Sequence, residues 1–278
     1  MKRKLFINLI ENHLNNMDEL LKTIKKVGFD GVNFTWNNQN DFTTLVNKIK
    51  EYGLSIDYIH APFNNINHFW YENSAVKDSL LNDLKSCVDF CKEIKVNKMV
   101  VHPFIGFDEH NPTLTGINYF EKLLKYAKSN NILICFENVE GEEYLSFIYT
   151  HLFKKYDNAR FCLDTGHELC YNKGEDQLSK YGNFLSCTHI NDNVGITGST
   201  IWWTDDLHYI PGDGILDIEN LVSRLKRINY KGNLSLEIKI NHIYETNIYN
   251  NYKQMSLENY YLKAFNALIN IKNKLDKE

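Results

Sequence analysis

Short apolar runs alternate along this chain with longer segments in which apolar residues recur every three or four positions. The runs at 4–9, 31–36, 55–61, 98–103, 132–139, 160–164, 184–190 and 233–238 are rich in β-branched and aromatic residues and predict strands. The segments at 17–27 and 42–52 have helical spacing, and each leads to a glycine (Gly28, Gly53) able to end a helix in the left-handed conformation. Further helices are predicted at 74–94, 117–129, 144–156, 176–181, 218–228 and 257–275. Near-continuous apolar strands separated by helices predict a parallel sheet, buried on both faces. Eight such units without a Pro/Gly/Ser-rich linker predict one α/β domain over residues 1–278, closed into a (β/α)8 TIM barrel. A doubly wound open sheet is the alternative. Its dinucleotide-binding form has no support, because no Gly-x-Gly-x-x-Gly follows a strand.

Composition narrows the class without changing that picture. A chain of 278 residues with 43% hydrophobic and 24% charged residues can bury a large core and reads as an ordinary globular protein. Its apolar runs all fall short of the roughly 18 residues that a membrane span needs, so no membrane partner is expected. The start, Met1-Lys-Arg-Lys, precedes an apolar stretch too short for a signal peptide and reads as a first strand, so a cytoplasmic location is expected. A net charge of −4 and only four arginines (Arg3, Arg160, Arg224, Arg227) argue against extensive duplex recognition without excluding nucleic acid. The six cysteines do not read as a disulfide framework. Cys135, Cys162 and Cys187 each precede a strand-end polar residue by two positions, on the same strand face, and are expected to be buried packing residues beneath it.

The polar residues at the strand ends carry the chemistry. The runs close on His60, His102, Glu137, Asp164 (with His167 three residues on), His189 and Glu237, and Asp206 and His208 lie in the loop after His189. In a parallel barrel the carboxyl ends of the strands converge at one mouth. Histidines and carboxylates gathered there form the donor set of a divalent metal site. Several carboxylates in a dry core without partners would cost several kcal/mol or more each, so a metal or a water-filled cleft must compensate them. Three long segments, 62–73, 191–214 and 239–255, leave strand carboxyl ends and should stand over the site. They supply Trp70, Trp202 and Trp203, read either as loop anchors or as aromatic walls of a substrate pocket.

With these residues in place, the chain resembles the xylose isomerase-like TIM-barrel superfamily, which includes sugar isomerases, epimerases and the endonuclease IV type of apurinic endonuclease. The resemblance covers nearly the whole length. It is carried by Ile59-His60-Ala61-Pro62, Val101-His102-Pro103, Phe136-Glu137-Asn138, Cys162-Leu163-Asp164-Thr165-Gly166-His167, His189-Ile190-Asn191-Asp192, Asp206-Leu207-His208-Tyr209-Ile210-Pro211-Gly212-Asp213-Gly214 and Leu236-Glu237. It implies a shared metal site at Glu137, Asp164, His189 and Glu237. The endonuclease-like members add a second metal held by His60 and His102 with Glu137, and a third held by His167, Asp206 and His208.

Two chemistries follow from the resemblance. A sugar or sugar-phosphate isomerase/epimerase would use Glu137 and Glu237 as proton-transferring carboxylates and His167 to orient a hydroxyl, with manganese, cobalt or magnesium. An endonuclease IV-like phosphodiesterase would use two or three zinc ions, so one to three ions per chain are implied. The chain departs from the endonuclease pattern at Val139-Glu140-Gly141-Glu142 and in a first strand without histidine. It departs from ketose epimerases in having Asn33 where relatives commonly carry Glu, and no Lys or Arg from Ile190 to Ser223. The reading adopted is the isomerase/epimerase, with the phosphodiesterase as alternative. A small-molecule sugar is the expected partner, and a homo-oligomer is left open.

Overall fold

The computed structural model describes residues 3–10, 16–107, 110–201, 203–243 and 245–277. Eight strands form one sheet: β1 (Leu5–Asn8), β2 (Gly31–Thr35), β3 (Ser55–His60), β4 (Lys98–Val101), β5 (Leu133–Glu137), β6 (Ala159–Asp164), β7 (Leu185–His189) and β8 (Leu234–Leu236). All the pairings are parallel and the order is β7-β6-β5-β4-β3-β2-β1-β8. A parallel bridge between Ile190 and Leu236 joins the two edges. It is made by the Ile190 N–H donating to the Ser235 carbonyl (2.8 Å) and the Glu237 N–H to the Ile190 carbonyl (3.2 Å). The fold is thus the expected (β/α)8 barrel and not an open sheet.

The helices are α1 (Met17–Val27), α2 (Thr43–Glu51), α3 (Lys77–Ile94), α4 (Leu114–Ser129), α5 (Glu142–Ile148), α6 (Thr165–Cys170), α7 (Gln177–Tyr181), α8 (Ile218–Arg227), α9 (Asn247–Gln254) and α10 (Leu257–Asp276). In α1 the apolar stripe Leu20, Leu21 and Ile24 is buried, and the helix stops at Gly28 with φ 116°. There the Gly28 N–H caps the Ile24 and Lys25 carbonyls. Three features differ from the sequence expectation. The helix predicted over 144–156 splits into α5 and a π turn at Tyr149–Phe153, whose rings pack on Phe184. The short α6 follows β6 directly. The long segment after β8 contains α9.

Strand periodicity positions the site. Tyr58, Val100, Cys135, Cys162 and Cys187 form a buried apolar cluster inside the barrel, separate from the core between sheet and helices. Each stands two residues before His60, His102, Glu137, Asp164 and His189 respectively, so it points to the same side of its strand. The polar set therefore sits directly on an apolar plug that excludes water from below. All six cysteines are buried and unbridged, and Cys135, Cys162 and Cys187 pack beneath the polar set as expected of them. Asn33 serves the plug as well: its Oδ1 accepts from the Asp57 and Tyr58 N–H groups, and its Nδ2 donates to Ser235 Oγ. No helix among the described residues is long and apolar enough to cross a membrane.

Candidate metal centre

Nine residues converge at the carboxyl ends of the strands in three groups, each with one ligand atom per residue within 4.8 Å of the others. These are His60, His102 and Glu137; Glu137, Asp164, His189 and Glu237; and His167, Asp206 and His208. Glu137 is shared by the first two. His189 Nδ1 lies 2.9 Å from Glu137 Oε1 and 2.9 Å from Glu237 Oε2, which brings the carboxylates of β5 and the end of β8 to one point.

Local structure aims these side chains. Asp164 caps α6, its Oδ1 accepting the His167 N–H at 2.7 Å, and that single turn folds His167 back over the mouth. Asn191 Nδ2 donates to Asp164 Oδ2 (2.7 Å), and Asn138 holds both the N–H and the carbonyl of Asp164. Asp206 and His208 arrive on the loop after β7. An antiparallel pair of hydrogen bonds between Asp192 and Tyr209 (3.0 and 2.7 Å) fixes that loop. The Asp192 carboxylate also accepts from the N–H groups of Gly212, Gly214 and Leu216. His208 sits at φ 51°, a strained conformation for a residue with a side chain, of the kind found where a site constrains the backbone.

Hydrogen bonding also sets the histidine tautomers. His60, His167 and His208 each direct Nδ1 at a backbone carbonyl, of Ala61 (2.7 Å), Asn138 (2.8 Å) and Glu237 (2.8 Å). A carbonyl only accepts, so Nδ1 carries the hydrogen and Nε2 is left as an acceptor. Yet His60 Nε2 faces Glu137 Oε2 at 3.4 Å, and His167 and His208 Nε2 face Asp206 Oδ1 at 3.4 and 2.8 Å. Glu137 Oε2 and Asp206 Oδ1 are buried without a hydrogen-bond partner. Acceptors facing acceptors require a proton or a cation between them. Around Glu137, imidazoles with buried carboxylates are a donor set that fits a divalent ion such as zinc, manganese or cobalt.

The electrostatics agree with that arrangement. Burial alone would raise the Glu137 carboxyl, but His189 and His102 outweigh it and hold it well below the usual carboxylate range. Asp206 is likewise lowered, with His208 and Lys239 overcoming burial. Burial would lower His167 and His208, but Asp164 and Asp206 respectively hold them above the ordinary imidazole value. Asp164 is pushed up to about 6 by burial, against the pull of His167. The set thus takes up positive charge wherever it is offered.

A cleft of about 390 Å³ opens above these groups, with His60, His102, His167, Asp206, His208 and Glu237 on its floor. Trp203 lines it. Trp70 does not reach it: the ring is fully buried, donates from Nε1 to the Pro103 carbonyl (2.8 Å) and packs on Phe120 and Tyr144. The aromatic from that loop which does face the cleft is Phe63, stacked on His102 at 4.6 Å. Trp202 lies outside the described residues. Glu140, Tyr171, Asn8 and Lys239 also line the walls and were missed in the sequence. A larger depression of about 580 Å³ lies at the amino ends of the strands, where Lys98 and Asp57 already satisfy each other at 2.7 Å. None of the three ligand groups lies there.

The sequence model of a family described as xylose isomerase-like TIM barrel matches residues 21–258, and the chain belongs to that family. An uncharacterized protein, y4fM, of Sinorhizobium fredii (strain NBRC 101917 / NGR234) is 25% identical, over 78% of this chain and 79% of that protein. Among solved structures, D-psicose 3-epimerase from Clostridium cellulolyticum H10, bound to D-tagatose, superposes with a TM-score of 0.70 and 13% identity, covering 99% of this chain and 100% of that one. The IOLI protein with a bound zinc atom superposes with a TM-score of 0.75 and 16% identity, at 99% and 100% coverage. At these identities the structures share the fold.

Proposed function

We propose that this member of the xylose isomerase-like TIM-barrel family is a divalent-metal-dependent isomerase or epimerase of a sugar or sugar phosphate. The observation that carries the reading is the convergence of Glu137 Oε1 and Glu237 Oε2 on His189 Nδ1, each at 2.9 Å, beneath a cleft sized for a small molecule. Glu137, Asp164, His189 and Glu237 would hold the ion, which would supply positive charge where an enediolate develops negative charge. Isomerisation and epimerisation both begin with removal of a proton from the carbon beside a carbonyl. Glu237 is the carboxylate open to the cleft, with 23% of its side chain exposed, whereas Glu137 has none. Glu237 therefore takes the proton; in an isomerisation it returns it to the neighbouring carbon, and in an epimerisation the second carboxylate, Glu137, returns it to the opposite face. His167, anchored through Nδ1 to the Asn138 carbonyl, presents Nε2 to a substrate hydroxyl. Trp203 and Phe63 offer apolar faces to the ring carbons. The solved epimerase of the same fold supports this reading.

The test is solvent exchange. The purified chain, supplied with manganese or cobalt in D2O, should place deuterium on the carbon next to the carbonyl of at least one ketose or ketose phosphate, read by NMR. Glu237→Gln should lower the exchange rate at least a thousandfold with the circular dichroism unchanged. A fully active Glu237→Gln protein would remove the proposed role. The presence of all three ligand groups favours a second reading, an endonuclease IV-like phosphodiesterase using zinc. Cleavage of an abasic-site oligonucleotide, without exchange in any sugar, would establish it instead.

A further inference from the structure

Lys239 stands two residues beyond Glu237, and its backbone N–H donates to the His208 carbonyl at 2.9 Å. That bond roots the residue beside the group formed by His167, Asp206 and His208. Its Nζ lies 3.2 Å from Asp206 Oδ2, while Asp206 Oδ1 faces His208 Nε2 at 2.8 Å and His167 Nε2 at 3.4 Å. Among the described residues lining the cleft, Lys239 is the only lysine or arginine. The three groups also differ in charge. The group around His189 brings three carboxylates and shares Glu137 with His60 and His102, whereas this one brings Asp206 alone and shares no ligand with the others.

We propose that the Lys239 ammonium is the resident cation of the His167–Asp206–His208 group, so that the chain holds divalent metal at the two groups that share Glu137 and not at the third. One carboxylate already compensated by an ammonium offers a divalent ion little net attraction, and the two cations would repel at short range. The third group then serves as a polar wall of the cleft: Asp206 joins His208 to Lys239, and His167 stays available to substrate. This inference rests on the metal reading of the site. It gives a structural reason why a chain that keeps all nine ligand-type residues would run a chemistry needing at most two ions.

The experiment counts zinc ions bound per folded full-length chain by equilibrium dialysis against zinc alone. The wild type is expected to bind no more than two tightly. Lys239→Met, which keeps an unbranched side chain one atom shorter and removes its charge, should bind one more, at least tenfold tighter than any third ion on the wild type. Lys239→Arg should bind as the wild type does. Lys239→Met combined with His208→Ala should lose the added ion, which places it at the third group. Three tight ions on the wild type would overturn the proposal, as would equal counts for wild type and Lys239→Met, or an extra ion on Lys239→Arg. If Lys239→Met does not fold, Lys239→Gln takes its place in the same comparison. Zinc bound by none of the proteins would overturn the metal reading itself, and with it this inference.

Discussion

Glu140 shows how a single buried carboxyl couples this site to pH. It is 2% exposed, one of its oxygens lacks a hydrogen-bond partner, and it lines the cleft three residues beyond Glu137. Burial pushes its pKa up to about 7, against the opposing pull of His167. In the unfolded chain the group titrates near 4.5. Between those values the folded chain holds a proton that the unfolded chain has released, so stability falls as pH rises through that window. The slope approaches about 1.4 kcal/mol per pH unit, for a total of up to about 3 kcal/mol. Glu140→Gln should remove this component: in the metal-free protein its urea midpoint, relative to wild type, should rise steadily from pH 4.5 to 7 and level off above. Parallel pH profiles for the two proteins would refute the assignment. The nine ligand-type residues were legible in the sequence because each closes or follows an apolar run. Glu140 and Lys239 were not, because a lone charge two or three residues beyond a ligand looks the same whether it faces solvent or the cleft.

At the scale of elements, α6 explains why Asp164-Thr165-Gly166-His167 reads as a unit. The cap at Asp164 starts the helix, and His167 returns to the mouth one turn later. Gly166 permits the loop after β7 to close on that turn, since a Cβ there would lie 1.8 Å from Asn191 Oδ1. Asn191 in turn donates to Asp164 Oδ2, so one added methyl displaces the residue that orients a proposed ligand. Gly166→Ala should cost about 1–3 kcal/mol of stability through overpacking. It should also weaken metal binding about 10- to 100-fold, as losses of residues that orient metal ligands do. Calorimetry and metal titration on the same sample would check both, and unchanged affinity would show that Asn191 does not orient the site. A helix as short as α6 has too little periodicity to be seen in sequence; its cap and the packing around it create it. The strands and the longer helices were legible to within a few residues because burial imposes their periods. The aromatic cluster at Trp70 was not. Loop aromatics pack inward or outward with the same composition, and here Gly116, which a Cβ would bring to 2.0 Å from the indole, opens the inward seat.

For the whole molecule, the barrel turns ligand geometry into folding stability. Strand ends that are distant in sequence, from His60 to Glu237, meet only when the ring is closed, so an ion held there binds the folded chain and not the unfolded one. At a free metal concentration a hundred times the dissociation constant, this adds about 2.7 kcal/mol of stability. For a chain of this size the melting temperature should rise by about 5–10 °C when the ion is added, and fall by the same amount on chelation. Glu137→Gln separates this effect from ordinary packing, because Glu137 belongs to two of the three groups and lies on the dry plug. The variant should keep the fold and lose most of the metal-dependent rise. In the absence of metal it should melt below the wild type, because His189 and His102 hold Glu137 ionised in the fold and the amide gives up that stabilisation. A wild-type melting temperature unmoved by chelator and by added zinc, manganese and cobalt would mean that the strand-end groups compensate one another by proton uptake alone, with His167 and His208 charged. The closed barrel would then be a scaffold for a proton network in place of a metal centre.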